Sequence, residues 1–127
     1  MRIFQSSITT SCLQMLYEIN PRIKVNVLRS YNLDKQDTGR LLESIMPNVA
    51  LFILDSGVWS KFTGKANQEI SVKTYASFLK RNGHKFHFYF NFDEAFFDEG
   101  TETFDNKAFP VNLKNQKYLE DEGLFPV

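Results

Sequence analysis

The chain has 127 residues, 43% of them hydrophobic, and its 15 basic and 15 acidic side chains cancel. That length supports one core, so a single domain over residues 1–127 is expected, and the balanced charge excludes a global field drawing the whole molecule to nucleic acid, membrane or an acidic substrate. The one cysteine, Cys12, excludes an internal disulfide and a thiolate-cluster metal site; with no window near the roughly 20 apolar residues of a bilayer span, a cytoplasmic protein without membrane, metal or cofactor is expected.

Residues 2–7 read as a strand, and residues 23–29 as a second, with Ile23, Val25 and Val27 alternating against Lys24, Asn26 and Leu28. The helix between them takes Thr10 or Ser11 as cap, carries Leu13, Leu16 and Tyr17 as its apolar stripe, and stops at Pro21. A short helix is expected over 38–46, with Leu41, Leu42, Ile45 and Met46 on one side and Pro47 as its stop. VALFILD, residues 49–55, is a nearly unbroken apolar run, the pattern of a parallel strand buried on both faces.

The next helix is capped by Ser71. It carries Val72, Tyr75, Phe78 and Leu79, places Lys80 and Arg81 in its last turn, and is expected to end on a left-handed Gly83. Residues 85–93 alternate strictly, with Phe86, Phe88, Phe90 and Phe92 on one predicted face and His87, Tyr89, Asn91 and Asp93 on the other. A final helix over 112–122 ends at Gly123, and LFPV begins a further strand. This order implies an α/β fold, a mostly parallel sheet of about five strands with flanking helices.

In such sheets ligands bind at the carboxyl ends of the strands. Asp55 ends one strand and leads into Ser56, Gly57, Val58 and Trp59; Asp93 ends another. If the two strands are neighbours, about 5 Å apart, both carboxylates face one pocket. Gly57 then permits close backbone approach and Trp59 offers a stacking surface. Each Asp also has a purely structural use, because DSG is a turn sequence and a strand-end Asp caps the following turn. His87, on a polar strand face, is as readily solvated as bound to a ligand.

ILDSGVWSKFTGK resembles the LDSGAFSAW-type stretch of phage-encoded relatives of tRNA-guanine and DNA 7-deazaguanine transglycosylases, and the DSGGFQ motif of the tRNA enzymes. FNFDEAF is similar to their FDEC segment, NLKNQKYLEDEGLFPV to a phage NWKYLESQGLNPIPV-type stretch, and LRSYNL is a weaker match. The resemblance implies a truncated, half TIM barrel in a host cytoplasm. It gives Asp55 base contact and proton transfer, Asp93 the amino and ring N–H edge of guanine, and Ser56, Gly57, Trp59 and Asn91 places in the base site. Val58 replaces the second glycine, Ala95 replaces the cysteine of FDEC, the zinc ligands are missing, and the nucleophilic aspartate belongs to a later strand.

Residues 93–110 form an acidic, phenylalanine-rich loop expected to contact a partner through Asp93, Glu94, Phe96, Phe97, Asp98, Glu99, Glu102, Phe104 and Asp105, with Phe109 as a further anchor. Its other reading is a solvated connection whose phenylalanines fold onto the core. Lys61, Lys65, Lys73, Lys80, Arg81 and Lys85 are an opposing basic cluster that would touch phosphates or simply be solvated. Three functions stand open. One is a phage-type noncatalytic binding protein on the truncated fold, such as an anti-CRISPR-like inhibitor of a host nucleic-acid-binding defence complex. Another is a guanine or 7-deazaguanine base-exchange enzyme completed by a homodimer or a second chain. The last is a purine-binding module.

Overall fold

The computed structural model describes residues 4–6, 8–31, 47–58, 70–94, 97–98, 103–104 and 107–127. Strands β1 (Phe4–Ser6), β2 (Val25–Ser30), β3 (Val49–Asp55) and β4 (Phe88–Tyr89) form a four-stranded parallel sheet in the order β1-β2-β3-β4. Helix α1 (Thr10–Ile19) connects β1 to β2, and α2 (Val72–Asn82) lies between β3 and β4. Helix α3 (Ala108–Asp121) follows a small antiparallel hairpin of β5 (Phe97–Asp98) and β6 (Thr103–Phe104). The expected helix over 38–46 lies outside the described residues.

Register explains the layering. Val27 pairs with Phe52, Arg29 with Leu54, and Leu54 with Tyr89, so these residues share one face. On that face Val25, Val27, Phe52 and Leu54 are buried together with Leu13 of α1, Tyr75, Ala76 and Leu79 of α2, and Leu119 of α3. All the described helices therefore pack on one side of the sheet, and the strand order has no reversal of the doubly wound kind. That disposition differs from a flavodoxin-like layer, in which helices cover both faces. The opposite face carries Leu28, Ile53 and Asp55 and continues into Phe88, which pairs with Ile53.

Several local expectations are corrected. Thr9, not Thr10 or Ser11, caps α1: its backbone is extended and its hydroxyl accepts from the Cys12 N–H at 3.2 Å, whereas Thr10 and Ser11 are already helical. Ile23 precedes its strand rather than belonging to it. Ser71 caps α2 as expected, within a reciprocal box completed by Thr74. Gly83, however, has φ −56° and opens a single 3-10 turn over Gly83–Lys85, so the left-handed terminus falls only at Gly123, φ 77°. Helix α3 starts at Ala108, earlier than expected, because Pro110 sits in a first turn whose N–H groups have no helical partner anyway.

The largest departure concerns residues 85–93. Only Phe88 and Tyr89 pair as strand, and the four phenylalanines do not share a face: Phe86 and Phe92 are buried while Phe88 and Phe90 are 46% and 40% exposed. The 3-10 turn delivers Phe86 onto Phe52, centroids 4.7 Å apart, and Phe92 reaches Tyr75 at 5.8 Å. LFPV is likewise not a strand, although the Val127 N–H donates to the Tyr89 carbonyl at 3.0 Å, beside the free edge of β4.

Candidate functional site

The site lies at the carboxyl ends of β2, β3 and β4. The β2–β3 ladder sets Ser30 opposite Asp55, and the Phe90 N–H donates to the Leu54 carbonyl at 2.9 Å, which places Phe90 beside Asp55 in the next row. Asp55 thus shares its face with Phe88 and Phe90, while His87, Tyr89 and Asn91 follow the opposite parity. The chain after Phe90 leaves the strand direction and is tied to α3: Asn115 Nδ2 donates to the Phe92 carbonyl at 2.8 Å, and Asn112 brackets Glu94 through its amide and its carbonyl. Asp93 therefore follows β4 rather than ending it.

That detour brings the two carboxylates into electrostatic reach. Burial pushes the Asp55 carboxyl above its ordinary value; the Gly57 and Ser56 N–H groups oppose this, and the charge on Asp93 adds to it. Asp55 Oδ2 accepts from the Gly57 N–H at 3.0 Å, and Gly57 holds this turn with φ 73°. The turn reading of Asp55 is thus met by this geometry. Asp93 is exposed, with Oδ1 accepting from Asn91 Nδ2 at 2.7 Å.

Two polar atoms here are buried without a hydrogen-bond partner, Ser30 Oγ and Asn91 Oδ1. Buried polar atoms are normally satisfied, and both of these lie near the carboxyl ends of the strands. Asn91 and Asp93 also line an open pocket of about 260 Å³ with Phe109, Asn112, Leu113, Gln116 and Val127.

Tyr75 is a site residue that sequence reasoning placed only in the core stripe of α2. Its hydroxyl donates to the Phe90 carbonyl at 2.9 Å. Burial raises its pKa far above the ordinary phenol value, and Asp55 adds to the shift. Tyr31 packs against it, with centroids 5.3 Å apart. Arg29 also went unnoticed; it is 2% exposed on the helix-covered face of β2, one residue from Ser30, and is held by interactions within the chain. Neither carries a motif: a tyrosine on an apolar helix stripe and an arginine in a strand become informative only once the neighbouring elements are placed.

Other expected residues are not gathered here. His87 Nδ1 accepts from the Phe52 N–H at 3.1 Å, a structural use that occupies one ring nitrogen. Lys80, Arg81 and Lys85 lie where α2 runs into β4, at the amino ends of the strands, and Lys80 is bonded to Glu122. Trp59, Lys61, Lys65, Phe96, Glu99, Glu102 and Asp105 lie outside the described residues. Among the described residues no group of three or more His, Cys, Asp or Glu side chains could hold a metal ion. No described helix is long and apolar enough to cross a membrane.

Comparison with protein-family models, with curated proteins and with solved structures gave no match.

Proposed function

We propose that this chain is a noncatalytic binding protein built on the first half of a transglycosylase-like (β/α) barrel, holding a guanine-type base between Asp55 and Asp93. What supports the reading is Asp55 at the end of β3, next to β4, together with the charge of Asp93, which follows β4 and adds to the upward shift of the Asp55 carboxyl. The unreversed strand order and the helices on one face favour a barrel wall over a doubly wound sheet.

In this reading Asp93 accepts two parallel hydrogen bonds from the amino and ring N–H edge of the base. Asp55, kept protonated to higher pH by its burial, donates a hydrogen bond to a ring heteroatom. Ser30 and Asn91 supply the remaining polar contacts. The reading assigns none of the 127 residues as a glycosyl-attacking nucleophile and gives them base binding alone.

Calorimetric titration with guanine, with adenine as control, tests this. Saturable guanine binding is expected, weakened about tenfold or more by Asp93→Ala, with no labelled guanine entering tRNA or DNA. Absence of guanine binding sinks the base site; incorporation of label replaces the noncatalytic reading with the base-exchange enzyme.

The β5–β6 hairpin favours a second use of the same scaffold. Its register sets Phe97 opposite Phe104 and Asp98 opposite Thr103 within the acidic segment. A paired, acidic, aromatic hairpin suits insertion into a basic channel, as an inhibitor of a host nucleic-acid-binding defence complex would require. Pull-down from bacterial lysate with Asp98→Lys as control tests it; a stoichiometric partner lost on charge reversal is the expected result.

A further inference from the structure

We infer that the pocket between the chain that follows β4 and the first half of α3 is a binding site for a guanidinium group. Phe109, Asn112, Leu113 and Gln116 line it from i, i+3, i+4 and i+7 of one face of α3. Asn91, Asp93 and Val127 complete the lining.

The polar atoms left over in this lining are acceptors. Asn91 Nδ2 donates to Asp93 Oδ1 at 2.7 Å and to the Asn112 carbonyl at 3.2 Å, which fixes the other end of that amide as the oxygen. That oxygen, Oδ1, is buried and has no partner. Gln116 Nε2 donates to Glu120 Oε1 at 2.9 Å, which likewise leaves Gln116 Oε1 as the unbonded end. Asn112 is held at both ends by Glu94. The single charge in the lining is the exposed Asp93 carboxylate, and among the described residues only its Oδ1 is bonded. A carboxylate flanked by amide oxygens selects a cation with several N–H donors, and no basic side chain stands among the lining residues to supply one from within.

The apolar part of the lining decides between the two common organic cations. Phe109, Leu113 and Val127 are 72%, 57% and 66% exposed, so ring and alkyl surface is open beside the oxygens. An ammonium is a compact, strongly hydrated charge that gains little from such surface. A guanidinium is planar and more weakly hydrated, offers a fork of N–H groups to oxygens in its plane, and stacks its faces on an aromatic ring. The volume, about 260 Å³, falls below the roughly 300–1,000 Å³ of pockets that enclose drug-sized ligands, and suits one group of side-chain size.

Asp93 also serves the base reading, but Phe109 and Gln116 belong to this site alone, so the two readings fail separately. Nuclear magnetic resonance titration of the full, isotope-labelled chain tests the inference. The ligands are methylguanidinium and a blocked arginine tripeptide; methylammonium and the neutral citrulline tripeptide are the controls. Saturable shifts of the Asn91, Asn112 and Gln116 side-chain amides are expected, with a dissociation constant on the order of 1 mM, and neither control should saturate there. Asp93→Asn and Phe109→Ala, whose spectra also show whether they are folded, should each weaken binding about fivefold or more. Gln116→Leu should weaken it too while leaving guanine binding unchanged. A tripeptide bound about tenfold tighter than methylguanidinium assigns the site to an arginine of a partner protein, whereas equal affinities assign it to a free small cation. Arginine binding without guanine binding supports the inference and sinks the base reading alone. No saturation by about 50 mM, equal binding of the citrulline tripeptide, or indifference to both Asp93→Asn and Phe109→Ala overturns it.

Discussion

Asn112 holds Glu94 from both sides: its Oδ1 accepts from the Glu94 N–H at 2.6 Å and its Nδ2 donates to the Glu94 carbonyl at 3.1 Å. A side chain on α3 thus does for this segment what a neighbouring strand does for a ladder, and it fixes the backbone next to Asp93. Asn112→Ala leaves both backbone groups without that partner. We expect a loss of about 1–3 kcal/mol in urea unfolding, together with faster hydrogen exchange at the Glu94 amide.

The raised Asp55 pKa predicts a pH-dependent stability. The folded state binds this proton more tightly than the unfolded chain, so the group's favourable contribution is complete below about pH 4, the unfolded carboxyl value. It is lost as the pH rises through the folded value. Asp55→Asn removes that loss while keeping an oxygen for the Gly57 N–H. The variant should melt higher than wild type at neutral pH, the difference vanishing on acidification below about pH 4. A variant that melts lower at neutral pH refutes the account.

Gly57 is the one site glycine whose backbone lies in the left-handed region, φ 73°. Gly57→Ala should cost about 1–2 kcal/mol and disturb the hydrogen bond to Asp55, weakening guanine binding with it. Gly83→Ala is the contrasting control. Its φ of −56° is ordinary, and the nearest side-chain atoms to an added Cβ lie 3.9 Å away. Thermal melts of the two variants should therefore differ clearly.

Tyr75→Phe removes the hydroxyl that donates to the Phe90 carbonyl. A cost of about 1–2 kcal/mol is expected by denaturant unfolding. Because burial holds this phenol protonated, its ultraviolet ionisation signal should be missing from the native titration and appear only on unfolding.

Leu54 is fully buried in the central strand, between Arg29 and Tyr89 in register. Leu54→Ala should cost about 2–5 kcal/mol and be the most destabilising of these substitutions in urea unfolding.

The sequence by itself determined the elements whose signal is local. β3 has the bounds its apolar run predicts, although only Phe52 and Leu54 are buried and its other face is half-open rather than buried, and α2 has the cap its Ser71 predicts, because run length and the satisfaction of helix-end N–H groups are written into consecutive residues. Asp55 was legible as a strand end for the same reason. The tertiary structure alone decided how the aromatic stretch is used. Its alternation implied one face, yet Phe86 and Phe92 turn into the core while Phe88 and Phe90 stay open, because a 3-10 turn precedes the strand and Asn112 and Asn115 redirect the chain after it. It also decided that the Tyr75 hydroxyl bonds the Phe90 carbonyl and that Asp93 acts on Asp55 from beyond β4 rather than from its end. Those contacts join residues far apart in the chain, and periodicity within one segment carries no information about which distant side chain will complete its hydrogen bonds.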